Sequence, residues 1–223
     1  MKKISYSQYS MWAQCPHRWK TAYIDGHREF SDNIHTLFGT SMHEVIQTFL
    51  TVMYNDTAKM AEALPLEDML LTRMKRNFES VLETNGGEMF CTEKDMVEFY
   101  QHGVEILKFI RKKRAQYFSK KGYELIGIEV PLNYDLPNNV KFVGYIDIVI
   151  RDTVRDVIKI YDIKTSTMGW NKWMKADKNK TDQLLLYKQF YSKQFNHPMD
   201  KIEVEYFIVK RKLYENLDFP QKR

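Results

Sequence analysis

Three side chains suited to phosphoryl chemistry fall in two short runs. Asp147 lies in GYIDIVI (144–150), and Asp162 and Lys164 lie in YDIKTS (161–166). Both runs are rich in β-branched and aromatic residues and read as strands, and RDTVRD between them suits a hairpin connection. The three should therefore stand close together. Asp162 and Lys164 are two apart, so they project from one strand face, beside Ile158 and Ile160. Charges persist on an apolar face when they are paired or bound to a metal, which makes this cluster a site in preference to decoration. Two carboxylates can hold a hard divalent cation through oxygen, and an imidazole can complete the shell if the metal is Mn²⁺. With a lysine beside them, these are the parts for hydrolysis of a phosphodiester. The cation acidifies water and neutralises developing charge, and the ammonium orients the nucleophile or helps deprotonate it. Glu129, on the preceding strand, is a candidate for a second cation or its water; a structural role is equally open. The plainer alternatives are a strand aspartate satisfied by a turn at Asp147 and a simple Asp162–Lys164 ion pair.

The elements that must carry these residues follow from periodicity. SYSQYSMWAQCPHRWKTAYI reads as one capped helix, with Ser5 or Ser7 as the cap and Ile4 packing back on its first turn. Cys15 is expected to be a packed thiol, with Pro16 shaping the helix end. LFGTSMHEVIQTFLTVMY starts a second helix at its Gly-Thr-Ser punctuation, with His43 in the first turn. Without other context, such a histidine is more often a satisfied, half-buried one than a ligand. Helical spacing returns between Leu64 and Phe118, broken at Asn85-Gly86-Gly87, and RKKR (111–114) near its end suits either the helix dipole or a phosphate.

YELIGIEVPLNY alternates, with Ile126, Ile128 and Val130 on one side, and reads as the strand before GYIDIVI, joined by DLPNN. After YDIKTS, the basic stretch around Trp170, Lys172, Trp173 and Lys175 suits stacking on unpaired bases; a solvated loop with one tryptophan anchored in the core is nearly as good a reading. A helix follows, on which Gln183 and Tyr187 share a face and Leu184 and Leu185 serve the core. IEVEYFIVKRK (202–212) closes as a strand. The order predicts an α/β core, one domain with a helical insertion.

With 223 residues, 43% of them hydrophobic, the chain can bury a substantial core. A net charge of +5 favours a polyanionic partner only through its placement. No apolar run is long enough to span a membrane and the first residues lack a signal-peptide middle, so the expectation is an intracellular protein. Cys15 and Cys91 do not make a disulfide framework.

The series SYSQYSMWAQCPHRW, GTSMHEVI, IGIEVP, GYIDIVI, YDIKTS and DQLLLYKQF resembles the PD-(D/E)xK nucleases of the RecB and AddB type, with related phage exonucleases and CRISPR-associated adaptation nucleases. Any one element is weak, but six in order, from Ser5 to Tyr187, are fairly specific. The resemblance implies a restriction-endonuclease-like central mixed sheet flanked by helices, with 1–223 a single nuclease domain and 54–120 a helical insertion roofing the active site. It implies His43, Asp147 and Asp162 as metal ligands and Lys164 as the catalytic lysine. Glu129 is the uncertain acidic member, and Gln183 and Tyr187 form the helix motif that positions DNA and the site. Arg18 joins Trp170, Lys172, Trp173 and Lys175 as expected DNA contacts.

Two departures stand out. The second acidic position is aspartate where many relatives carry glutamate. Some relatives hold an iron–sulfur cluster through four cysteines, but this chain has two, so no such cluster is expected from it. The implied activity is that of a Mg²⁺- or Mn²⁺-dependent deoxyribonuclease, an exonuclease on single-stranded or duplex DNA ends in recombination, repair or phage DNA processing. It would work in the cytoplasm of a bacterium or phage-infected cell, with recombination or replication proteins as further partners. The alternatives are a DNA endonuclease and a non-catalytic DNA-binding recombination factor.

Overall fold

Pro16 decides the first departure from these expectations. In the computed structural model, which describes residues 2–27 and 32–211, the stretch expected to be one helix is two, α1 (Tyr6–Gln14) and α2 (Pro16–Tyr23). Proline disfavours helical backbone in the residue before it, and Cys15 is extended at φ −158°, ψ 102°. Ser5 caps α1 by accepting from the Gln8 N–H, and Cys15 Sγ caps α2 by accepting from the Arg18 N–H at 3.4 Å. That duty at a helix end leaves the Cys15 thiol exposed, not packed as expected. Ile4, expected to pack on a helical turn, instead belongs to a strand, β1 (Lys2–Ile4), with Phe142 as its partner.

The chain divides into two compact units, the first made of Met1–Phe30, Ile126–Asp162 and Asn171–Glu205. The strands of the chain form a mixed five-stranded sheet of β1, β2 (Tyr123–Leu136), β3 (Val140–Asp152), β4 (Val157–Ser166) and β5 (Ile202–Lys210). The strand order is β1-β3-β4-β5, with β2 also paired to β3; β1 runs parallel to β3, and β4 antiparallel to it. The β2–β3 turn needs positive φ at two successive residues, and Asn138 and Asn139 supply 61° and 57°. In the β3–β4 turn, Asp152 Oδ1 accepts from the Val154 and Arg155 N–H groups at 3.1 and 3.0 Å.

β2 does not alternate as its sequence suggests. Tyr123, Leu125 and Gly127 are its more covered residues up to mid-strand, after which Ile128, Val130, Leu132 and Tyr134 take over. The phase shift accompanies Glu129, whose φ of 49° marks a bulge, and it leaves Ile126 48% exposed. Gly127 is required there, because a Cβ would lie 2.7 Å from Val130 Cγ2.

Two further helices follow β4, the short α7 (Lys172–Lys175) and α8 (Lys178–Phe195). α8 buries Tyr187, Phe190 and Tyr191 in a core with Leu132, Phe142, Ile146, Val149, Ile158, Ile160 and Ile202. The Phe142 and Phe190 rings stack at 4.2 Å. Leu184 is buried as expected, but Leu185, one residue on and so turned outward, is 50% exposed.

The second unit comprises Ser31–Leu125, Ile163–Trp170 and Tyr206–Arg223. It holds α3 (Ile34–Asn55), α4 (Ala58–Glu62), α5 (Leu66–Thr84) and α6 (Glu93–Tyr117). α3 starts before the Gly-Thr-Ser punctuation because Asn33 and Thr36 form a reciprocal capping box, so His43 stands in the third turn, not the first. Phe38, Met42, Phe49, Leu50 and Met53 of α3 are buried, as are Leu70 and Met74 of α5 and Ile106, Leu107 and Ile110 of α6. Lys120 Nζ closes the end of α3, donating to the carbonyls of Met53, Tyr54 and Asp56 at 3.0, 2.8 and 2.6 Å. The break at Asn85-Gly86-Gly87 is as expected, with both glycines at positive φ. β5 ends at Lys210, and Lys212, also expected in the strand, lies outside the described residues. No described helix is long and apolar enough to cross a membrane. A helical N-terminal region followed by a mixed five-stranded sheet flanked by helices is the α/β arrangement expected.

Candidate active site

The antiparallel register of β3 and β4 places Ile148 opposite Tyr161. The paired residues end there, and the next residues outward are Asp147 on β3 and Asp162 on β4. Both carboxylates act electrostatically on the Tyr187 hydroxyl, and like charges gathered in this way repel unless something positive intervenes. Asp162 is almost fully covered at 2% exposed, and Asp147 is half-buried. Lys164, two residues beyond Asp162 on β4, is half-buried and lies on the same strand face.

α8 delivers Gln183 and Tyr187 from successive turns. Gln183 Nε2 donates to Asp162 Oδ1 at 2.9 Å and to the Tyr187 hydroxyl oxygen at 3.2 Å. A carboxylate only accepts, so the amide must turn its nitrogen this way, which fixes the carboxylate's orientation. Gly144 of β3 lies beneath the Tyr187 ring, where an added Cβ would meet Tyr187 Cε1 at an ordinary contact distance of 3.4 Å.

Tyr187 also reports on the charges around it. Burial pushes its hydroxyl up to a pKa of about 12; the Gln183 hydrogen bond opposes this, and the negative charges of Asp162, Asp147 and Glu129 add to it. The phenol is therefore neutral near pH 7, and three carboxylates act on one hydroxyl. Glu129 is exposed and owes its place to the bulge in β2.

Oxygen donors and the negative potential felt at Tyr187 are the kind of surroundings a hard divalent cation takes. Among the described residues, no group of three or more His, Cys, Asp and Glu side chains is placed to hold a metal. Mg²⁺ characteristically takes one or two carboxylates and fills its remaining positions with water and phosphate oxygens.

His43 and Lys164 belong to the second unit, and a contact there bears on both. A Cβ on Gly39 would lie 3.1 Å from Thr165 Oγ1, so any larger residue would push the Thr165 side chain back by a few tenths of an ångström where β4 approaches α3. Gly39 and His43 are four apart and share a face of α3, and Thr165 follows Lys164. The sequence reading passed over this contact; its signal is a glycine inside an otherwise apolar helix. Next to His43, Glu44 accepts from Arg76 at 2.6 Å and from Arg73 at 3.3 Å, both on α5.

The expected nucleic-acid contacts divide. Trp170 is half-buried with its ring edge-on to Tyr206 at 4.7 Å, so it is the anchored tryptophan. Trp173 is 81% exposed on α7, flanked by exposed Lys172 and Lys175, and Arg18 is exposed on α2. Comparison with known proteins matches the chain, over residues 3–222, to the family described as the PD-(D/E)XK nuclease superfamily. No curated protein matches it.

Proposed function

Because the chain belongs to the PD-(D/E)XK nuclease superfamily, we propose that it hydrolyses DNA phosphodiester bonds as a divalent-metal-dependent exonuclease acting on DNA ends. The observation that carries this reading is the buried Asp162, fixed by the same Gln183 amide that holds Tyr187, with the charge of Asp147 acting on the same hydroxyl. Asp147 and Asp162 are the residues that would hold Mg²⁺ or Mn²⁺, with His43 added on motif grounds alone. When bound, the ion supplies Lewis acidity and neutralises charge on the phosphate.

The remaining work belongs to the chain. Lys164 presents a compact positive charge that orients the attacking water toward phosphorus and eases loss of its proton. Gln183 keeps Asp162 from turning, and Tyr187, neutral at working pH, donates or accepts a hydrogen bond without adding negative charge. Residues 1–223 are read as one nuclease domain with 54–120 as a helical insertion. By its motifs the chain is read as a nuclease of the RecB and AddB kind, serving recombination, repair or phage DNA processing.

End-labelled linear DNA and closed circular DNA, each incubated with Mg²⁺, Mn²⁺ or chelator, test the reading. Loss of linear DNA with survival of circles is expected. Loss of both would indicate an endonuclease, and binding without metal-dependent loss would indicate a DNA-binding factor. Lys164→Ala should keep DNA affinity near that of the wild type while abolishing turnover; unchanged cleavage by this variant would remove the proposed role of the lysine.

A further inference from the structure

The first two helices do little for the core. Neither α1 nor α2 buries a residue fully, although α1 carries Tyr6, Tyr9 and Trp12 at intervals of three. Tyr6 is spent on anchoring, since its hydroxyl donates to the Asn179 carbonyl in the first turn of α8. That bond sets α1 beside the segment that also carries α7. Beyond the anchor, Tyr9 is 40% and Trp12 50% exposed, and the Tyr6 and Tyr9 rings stand 6.4 Å apart. On α7, Trp173 is 81% exposed. Two indoles, one half and one mostly open to water within one unit, are large amphipathic surfaces of the kind a partner covers.

The surrounding charge says what does. α1 itself has no charged residue, while its neighbours present Arg18 on α2, Lys172 and Lys175 on α7, and Lys178 at the start of α8, all exposed. None of these four makes an ion pair among the described residues. Of the nearby acids, Asp177 caps α8 and pairs with Lys180, and Asp25 pairs with Lys20 at 3.4 Å, while Asp182 sets a negative charge beside the anchoring Tyr6. Protein–protein interfaces are depleted in lysine, and a duplex hides its base faces. An unpaired strand offers both flat bases for the rings and phosphates for the lysines.

We propose that Tyr9 and Trp12 of α1, with Trp173 of α7, form a stacking platform for single-stranded DNA, its backbone followed by Arg18, Lys172, Lys175 and Lys178. This rests on the nuclease reading for its substrate and gives that reading a strand preference. The platform holds the unpaired strand through its bases, whatever their sequence, because every base has a face to stack.

Fluorescein-labelled oligothymidylate, titrated in chelator so that no cleavage occurs, tests the platform on the full chain. Trp12→Ala and Trp173→Ala should each weaken binding by roughly tenfold or more, with a much smaller loss on blunt duplex of equal length. Trp173 is 81% exposed, so its variant should keep the wild-type melting temperature, and Trp12→Ala, which uncovers the half-covered side of a 50% exposed ring, should keep the wild-type circular dichroism with a small fall in melting temperature. Unchanged oligothymidylate affinity in both variants, or equal loss on duplex, would overturn the platform. So would a wild type whose self-association disappears in Trp12→Ala while oligothymidylate binding stays. The two readings fail separately. Intact metal-dependent cleavage with unaffected strand binding ends the platform alone, whereas tryptophan-dependent strand binding by a wild type that never cleaves supports the platform and ends the nuclease reading.

Discussion

At the scale of single residues, Gln183 serves two groups with one nitrogen, and its loss should exceed that of either partner's contact alone. Gln183→Ala withdraws a donor from the buried Asp162 carboxylate and a contact from Tyr187, at a cost of about 1 to 3 kcal/mol. Tyr187→Phe removes only a neutral hydroxyl and leaves Gln183 on Asp162, so the loss should be ~1 kcal/mol. Urea midpoints will rank the two, and cleavage rates should follow the same order because only the first frees Asp162 to turn. This pairing was legible in the sequence, since residues four apart on a helix share a face and Asp162 faces them from a strand. Glu129 was less legible. A glutamate at positive φ has no marker of its own type, and the bulge betrays itself only through Gly127, a glycine inside a strand pattern.

Among elements, the approach of β4 to α3 turns on Gly39. Gly39→Ala gains about 1 kcal/mol of helix propensity and forces Thr165 Oγ1 back by a few tenths of an ångström. These nearly cancel in stability, so thermal melting should change little while cleavage falls about tenfold through the displaced Lys164. A melting loss equal to the activity loss would make Gly39 a packing residue and nothing more. Lys120→Met tests the other end of α3. Three carbonyls lose a charged donor, a cost of about 1.5 to 3 kcal/mol, and amide exchange should speed up in the last turn of α3. The long periodic elements α3, α5, α6, α8, β3 and β4 could be read from spacing alone. β1 could not, because two of its three residues are lysines and only pairing with β3 makes it a strand. The α1–α2 break was written in Cys15-Pro16, where proline's effect on the preceding residue outweighs the helical pattern on both sides.

For the whole molecule, pH acts in opposite senses at the two ends of the scale. Asp95 is held below the usual carboxylate range by Thr92, Asp152 by the Arg155 and Val154 N–H groups, Asp156 by Arg151, and Glu203 by Arg155. Folded, these groups take up protons less readily than unfolded. The stability they lend is present above about pH 4 and is lost as pH falls through their lowered values. Tyr187 works the other way. An unfolded phenol ionises near 10, whereas this one does so at about 12, so its contribution is complete below 10 and fades as pH rises toward 12. The melting temperature should therefore level off between about pH 5 and 9 and fall on both sides. A midpoint that rose on acidification below 4 would contradict the carboxylate assignments. The mixed sheet with helices could be inferred from the order of strand and helix patterns. The division into two units could not, because it falls inside β2, β4 and β5, where the chain shows no change of composition. The pairing of β1 with β3 also carries a consequence for the nascent chain. Lys2 leaves the ribosome early, but its partner Val140 is made only after α3 to α6. Until then β1 has no partner strand, and α1, tied to α8 through Tyr6, waits for a segment made later still.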